Sequence, residues 1–272
     1  MTGYAVCILG NSHAGAIQQA WNNRRPAVSA GLSITFFAAA TNQLKHLTLY
    51  RRMLATRDQD LRDRFLDSAG EQRVEIERFD AFVLVGMTFG IDVLKLSETM
   101  GVGKPSEPGA AEQAISRACL AAVNRASFET SLSLDVARMI RTVSKAPVLL
   151  CAAPFRPEHC LEDPEYRDRK RLRDPELLEG LVREAREAAD KAARAAQCEV
   201  VWQPEETVSL PGFTKYSLSR HSTAGGRKVI EQDRRHGNEE YGELILAAIL
   251  RRLDEISHGR VLPQKPAKAR AG

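Results

Sequence analysis

The 272-residue chain has no long hydrophobic run: no apolar stretch approaches the ~18 residues that a membrane-crossing helix needs, so no membrane partner is expected. It also has no CxxC or comparable ligand spacing. Its five cysteines, Cys7, Cys119, Cys151, Cys160 and Cys198, are scattered and odd in number, which argues against a disulfide framework and against a structural zinc site. Cys7 and Cys151 sit inside apolar runs, where a free cysteine behaves as a small core residue. Strong charge of one sign is missing too. The net charge is +4, part of it in a basic tail, and this makes no electrostatic case for nucleic acid. No internal repeat is present. No basic segment precedes the first apolar run, so a signal peptide is not expected and a reducing cytoplasm is the simplest compartment.

The nucleotide-binding loops are missing as well. Gly10 and Gly15 have the spacing of a phosphate-cradling loop, but Ala16 stands where its lysine must be. Ser12 replaces the second glycine of the dinucleotide fingerprint. No cofactor and no metal are expected.

What is present is an ordinary globular composition, 43% hydrophobic and 27% charged, with apolar runs of strand length. The runs Tyr4–Leu9, Leu32–Ala40, Phe79–Val85, Val148–Ala153 and Glu199–Trp202 alternate with segments of helical pattern. This predicts an α/β fold of three layers, a mainly parallel five-stranded sheet with helices on both faces. One domain is expected over 1–258, followed by a disordered basic tail over 259–272. Residues 44–67 are read as a helical crossover or exposed insertion, and 75–79 as a short lead-in strand. The segment 101–109 is read as a loop, and 110–145 as largely helical with a break within 124–131. Residues 156–175 read as a charged loop, Pro175 to about Gln197 as a long helix, 210–226 as irregular, and Tyr241–Ile256 as a last amphipathic helix.

The chemistry-bearing residues lie at opposite ends of this pattern. Gly10-Asn11-Ser12-His13 interrupts the first strand before the first helix, so Ser12 falls at a strand's carboxyl end and a helix's amino end. Open α/β sheets bind ligands there, and exposed backbone N–H groups favour negative charge. Alone, Ser12 would read as a helix cap. Asp233-Arg234-Arg235-His236 stands before the last helix, and an aspartate and histidine three apart in a turn can face one rim. The histidine can take the serine proton while the aspartate orients the imidazole. Arg156 and Arg220 are charged residues near the same rim.

The two motifs together resemble the SGNH (GDSL-like) hydrolase superfamily. Its first block places the nucleophile in a Gly-Asp-Ser turn, here Gly10-Asn11-Ser12, and its last block is Asp-x-x-His, here Asp233 to His236. Ser12-His13-Ala14 is similar to the form found in SGNH domains that handle acyl groups on bacterial polysaccharide, and His236-Gly237-Asn238 to the family's entry into its last helix. The resemblance spans residues 4 to 256 and implies a Ser12–His236–Asp233 triad. It implies an oxyanion hole from the N–H groups of Ser12 and Gly86, with Thr88 standing where the family has an asparagine. Asn11, His13, Asn42 and Asn238 would contact the substrate. The implied activity is a serine esterase that hydrolyses a small acyl ester, such as an acetyl group on a carbohydrate. The alternatives are an O-acyltransferase acting on a glycan and a catalytically quiet carbohydrate-binding domain.

Overall fold

A computed structural model describes residues 3–24, 31–99, 116–167, 170–220, 235–258 and 261. The chain runs through β1 (Tyr4–Gly10), α1 (Ala14–Arg24), β2 (Leu32–Ala38), α2 (Thr41–Leu44), β3 (Thr48–Tyr50), β4 (Met53–Ala55), α3 (Gln59–Ala69), β5 (Val74–Glu75) and β6 (Ala81–Val85). Next come α4 (Val93–Thr99), α5 (Arg117–Glu129), α6 (Leu132–Arg141), β7 (Val148–Cys151), β8 (Arg156–Pro157) and α7 (Pro164–Arg167). It continues with α8 (Pro175–Ala195), β9 (Glu199–Val201), β10 (Val208–Leu210), β11 (Phe213–Thr214) and α9 (Glu239–Ile256).

The side chains of β1 show why the sheet is central. Val6 and Ile8 join one buried cluster, Cys7 and Leu9 another, so the strand is apolar on both sides. Such a strand is satisfied only in a sheet covered on both faces. The order is β2-β1-β6-β7-β9, and every pairing is parallel. The five-stranded parallel sheet with helices on both faces is the architecture expected from the sequence. Helices α1 and α9 cover one face through Ile17, Trp21, Ile245 and Ile249. The other face is covered from α3, α6 and α8, with Phe65, Val136, Ile140 and Leu178 among the buried residues. The strand order reverses between β1 and β6, and such a switch point leaves a crevice at the strands' carboxyl ends.

Residues 44–67 are not one helical crossover. They form a hairpin, β3 with β4, followed by most of α3; β5, which comes after α3, returns to pair with β4 and extends the hairpin to a small antiparallel sheet. The hairpin turn is Arg51-Arg52, with φ of 45° and 68°. Turns of that hand are signalled in sequence by Asn-Gly or Gly, so two arginines give no warning of it. The lead-in strand expected over 75–79 is shorter, Val74–Glu75, and a 3₁₀ turn takes Ile76–Arg78. The helical segment after residue 110 does break, at Thr130–Ser131, where Ser131 caps α6. The loop expected over 101–109 lies outside the described residues, as do 259, 260 and 262–272 of the tail. Val261 is described, and it departs from the disordered tail that was expected. It is fully buried against the α1/α9 cluster, and its N–H donates to Asp254 Oδ1 at 3.0 Å.

Candidate active site

The turn after β1 is built by its own residues. Asn11 donates its backbone N–H to the Val85 carbonyl at 3.3 Å, tying the turn to β6. Its side chain closes the loop: Oδ1 accepts the His13 N–H at 3.2 Å, and Nδ2 donates to Thr41 Oγ1 at 3.0 Å. With these bonds made, Ser12 is left exposed at the tip, followed at once by α1.

His236 arrives from the other end of the chain. A strap at Ser217–Arg220 holds it: the Arg220 N–H donates to the His236 carbonyl at 2.8 Å, and Gly237 bridges Ser219. Asn238 locks the same strap and caps α9. Its N–H donates to the Leu218 carbonyl at 2.9 Å and its Nδ2 to the Ser217 carbonyl at 2.8 Å, while Oδ1 accepts the Tyr241 N–H at 3.0 Å. Helices α1 and α9 then pack together, with Gly242 seated against the Ala16 carbonyl where no Cβ would fit. Each helix starts just beyond its functional residue, so this contact draws two distant residues together. His236 Nε2 stands 2.7 Å from Ser12 Oγ, across 224 positions of sequence.

A bond of that length between a serine and an imidazole is the nucleophile–base pairing of acyl transfer. With Nε2 on the serine, Nδ1 is the atom that an orienting carboxylate would hold. Asp233, the expected partner, lies outside the described residues. The His13 ring lies 5.1 Å from that of His236, centroid to centroid, tilted by 42°. Burial pushes the thiols of Cys7 and Cys151 up, that of Cys151 to about 12, so neither is a thiolate at neutral pH.

The turn after β6 is of another kind. Gly86, Met87 and Thr88 have φ of 67°, 52° and 64°, three consecutive residues in the left-handed region. Each non-glycine residue there costs about 1–2 kcal/mol, so the surroundings must hold it. The first turn of α6 does so. The Ser133 Oγ donates to the Gly86 carbonyl at 2.7 Å and its N–H to the Met87 carbonyl at 3.2 Å, and the Leu132 N–H donates to Thr88 Oγ1 at 2.9 Å. A Cβ on Gly86 would stand 2.6 Å from Asn11 Oδ1, so the two turns meet at this glycine.

A cavity of about 240 Å³ opens beside these turns. Asn11, His13 and Thr88 line it, Phe89, Ile91 and Pro154 are its apolar residues, and Asp92, Lys95, Arg156 and Arg235 bring charge. Arg156 directs Nε and one terminal nitrogen to Asp92 Oδ2, at 3.0 and 2.8 Å.

Several expected roles change. The Gly86 N–H donates to the Cys151 carbonyl at 3.0 Å, so it is committed to the sheet and does not face a substrate oxygen. Gly86 serves instead by its φ and its missing Cβ. Asn42 is exposed on α2 and does not line the cavity; its neighbour Thr41 makes the contact with the site, through Asn11. Asn238 has its backbone N–H, Oδ1 and Nδ2 all engaged within the protein, which makes it a scaffold residue. Asn11 lines the cavity, yet both atoms of its side-chain amide are spent on the turn. Thr88 is exposed to the cavity with its hydroxyl oxygen already accepting a bond, so the hydroxyl proton is what remains to offer. The Ser12 N–H has no hydrogen-bond partner among the described residues. Ser133 is not marked by the sequence as a site residue; Thr41 follows the second strand run at the rim, and its bond to Asn11 is what only the fold shows. The Ser131 cap, which sets where α6 begins, was the available signal for Ser133.

No protein-family model matches the chain, and no curated protein matches it in sequence. Similar solved structures include the periplasmic domain of a Salmonella ser. Paratyphi A lipopolysaccharide acetyltransferase, at a TM-score of 0.45 and 10% identity, covering 92% of this chain and 84% of that one. The salicylyl-acyltransferase SsfX3 from a tetracycline biosynthetic pathway is similar at a TM-score of 0.42 and 13% identity, over 96% of this chain and 57% of its own. A putative GDSL-like lipase from Bacteroides ovatus is similar at a TM-score of 0.40 and 10% identity, over 94% and 54%. The chain thus spans little more than half the length of the last two. At these scores the chemistry has to be argued from Ser12 and His236 themselves. Among the described residues no helix is long and apolar enough to cross a membrane, and no group of three or more His, Cys, Asp or Glu side chains is placed to hold a metal ion.

Proposed function

We propose that the chain is a serine esterase that releases a small acyl group from an ester, with a glycan ester as the substrate class. One observation carries the reading, the 2.7 Å contact between His236 Nε2 and Ser12 Oγ. Chain connectivity does not require that contact; the packing of α1 on α9 produces it. His236 takes the Ser12 proton as Oγ bonds to the ester carbonyl carbon. The oxyanion that forms meets the Ser12 N–H and the Thr88 hydroxyl, both fixed before the reaction. As the tetrahedral centre collapses, His236 returns the proton to the leaving alcohol. Water, activated by the same imidazole, then frees the acid and restores Ser12. Asp233 is assigned the orientation of His236, which favours the tautomer with its proton on Nδ1.

The test compares wild type with Ser12→Ala on p-nitrophenyl acetate and by labelling with a fluorophosphonate probe. The variant is expected to lose about 10⁴-fold or more in turnover and all labelling. Equal turnover and equal labelling of the two proteins would refute the assignment. Acylated sugar recovered in place of free acid, when a sugar acceptor is added, would move the reading from hydrolase to transferase.

A further inference from the structure

We infer that Ser133 is a positioning residue of this site and that it acts through the hydroxyl of Thr88; the inference rests on the esterase reading above. Ser133 is fully buried and spends both its hydroxyl and its N–H on the left-handed turn. Helix α6 does not need that hydroxyl to begin. Its cap is Ser131, whose Oγ accepts the Leu134 N–H at 3.4 Å and whose carbonyl accepts the Asp135 N–H at 3.1 Å. The bond from Ser133 Oγ to the Gly86 carbonyl therefore serves the turn, 47 residues away in sequence.

The turn needs it. Met87 and Thr88 would each relax toward negative φ if released, and the Thr88 side chain would swing with the backbone. Three donors from α6 act on Gly86, Met87 and Thr88 in succession and leave the turn one shape. In that shape Thr88 Oγ1 receives a hydrogen bond from Leu132, so its own proton points away from the helix. A hydroxyl that accepts a bond is a stronger donor for it. Thr88 shares the cavity with Asn11 and His13, the residues on either side of Ser12. The line of donors runs from the Leu132 N–H through the Thr88 hydroxyl to the forming oxyanion, and Ser133 keeps that line straight.

A double-mutant cycle on p-nitrophenyl acetate turnover tests this. Thr88→Val, which is isosteric but removes the hydroxyl and with it the acceptor of the Leu132 N–H, is expected to lower kcat by about 10²-fold with little change in KM. Thr88→Ser should recover most of the loss. Ser133→Ala is expected to lower kcat by about tenfold, because a small displacement of a donor is enough. In the Thr88→Val background the same change should cost less than about twofold, since the group it positions is already gone. Additive losses, or a Ser133→Ala protein with lowered Tm and unchanged kcat, would overturn the inference. Ser133→Cys, which retains a weak donor of similar size, carries the same comparison if the alanine variant does not fold. Failure of the esterase reading shows up separately, as a Ser12→Ala protein that turns over ester like wild type.

Discussion

Two turns leave the sheet side by side, after β1 and after β6, and they are built in opposite ways. The first is closed by its own Asn11, which accepts from His13 two residues on and itself donates outward to Val85 and Thr41, and the short loop runs directly into α1. The second is closed from outside, by donors of α6 more than forty residues later. The first holds an exposed serine at its tip with little strain. The second holds Met87 and Thr88 in a conformation that they would leave if released. A nucleophile and an electrostatic receiver make different demands, and the two constructions reflect this. The serine must be reachable, whereas the receiving hydroxyl must be fixed before charge develops.

The contrast can be broken most forcefully at Gly86, where the turns touch. Gly86→Ala puts a Cβ at positive φ and against Asn11 Oδ1, so it should cost at least about 2 kcal/mol in urea unfolding and most of the ester turnover. A variant as stable as wild type would mean that the second turn is not tightly held. The first turn is tested by a pair of changes. Asn11→Ala leaves the His13 N–H without its acceptor and should cost about 1–3 kcal/mol. Asn11→Asp should cost less than about 1 kcal/mol, because the carboxylate still accepts from His13 and the Thr41 hydroxyl can turn to donate. Thermal melts of the two variants give the order, and equal losses would show that the Thr41 hydroxyl does not turn and that the amide donor of Asn11 is what the turn needs.

The smallest handle is the strand beneath the second turn. Cys151, whose carbonyl accepts the Gly86 N–H, carries a thiol raised by burial from 9.0 to about 12. The unfolded chain releases this proton near pH 9 and the folded chain holds it, so above pH 9 the folded state binds more protons. Stability from this group is complete below pH 9 and declines as pH rises toward about 12, by about 1.4 kcal/mol per pH unit. Cys151→Ala should flatten the alkaline fall of Tm relative to wild type. An unchanged slope would mean that the thiol does not titrate across the unfolding transition.

Much of this could be read from residue order. Apolar runs of strand length, each followed by a helical pattern, imply a parallel sheet covered on both faces. The turn at Ser12 and the histidine before the last helix were visible because each is set by neighbours in sequence. The hairpin at Arg51-Arg52 was not, since its left-handed turn lacks the glycine or asparagine that usually marks one. Asn238 and Gly86 were legible as important residues, though their roles were not. Both were expected to face a substrate; Asn238 instead caps α9 and Gly86 gives its N–H to Cys151.

Sequence therefore suffices for the sheet, the layers and the candidacy of Ser12 and His236, because local pattern and hydrophobic period decide those. Only the folded chain could decide that Ser12 and His236 meet, that Gly86 donates to the sheet, and that Thr88 is held by α6. These depend on contacts between residues 44 to 224 positions apart, made where β1 and β6 end beside each other and where α1 packs on α9. Hydrogen bonds across such separations leave no periodic trace in a sequence, since their partners are brought together by packing and not by neighbourhood.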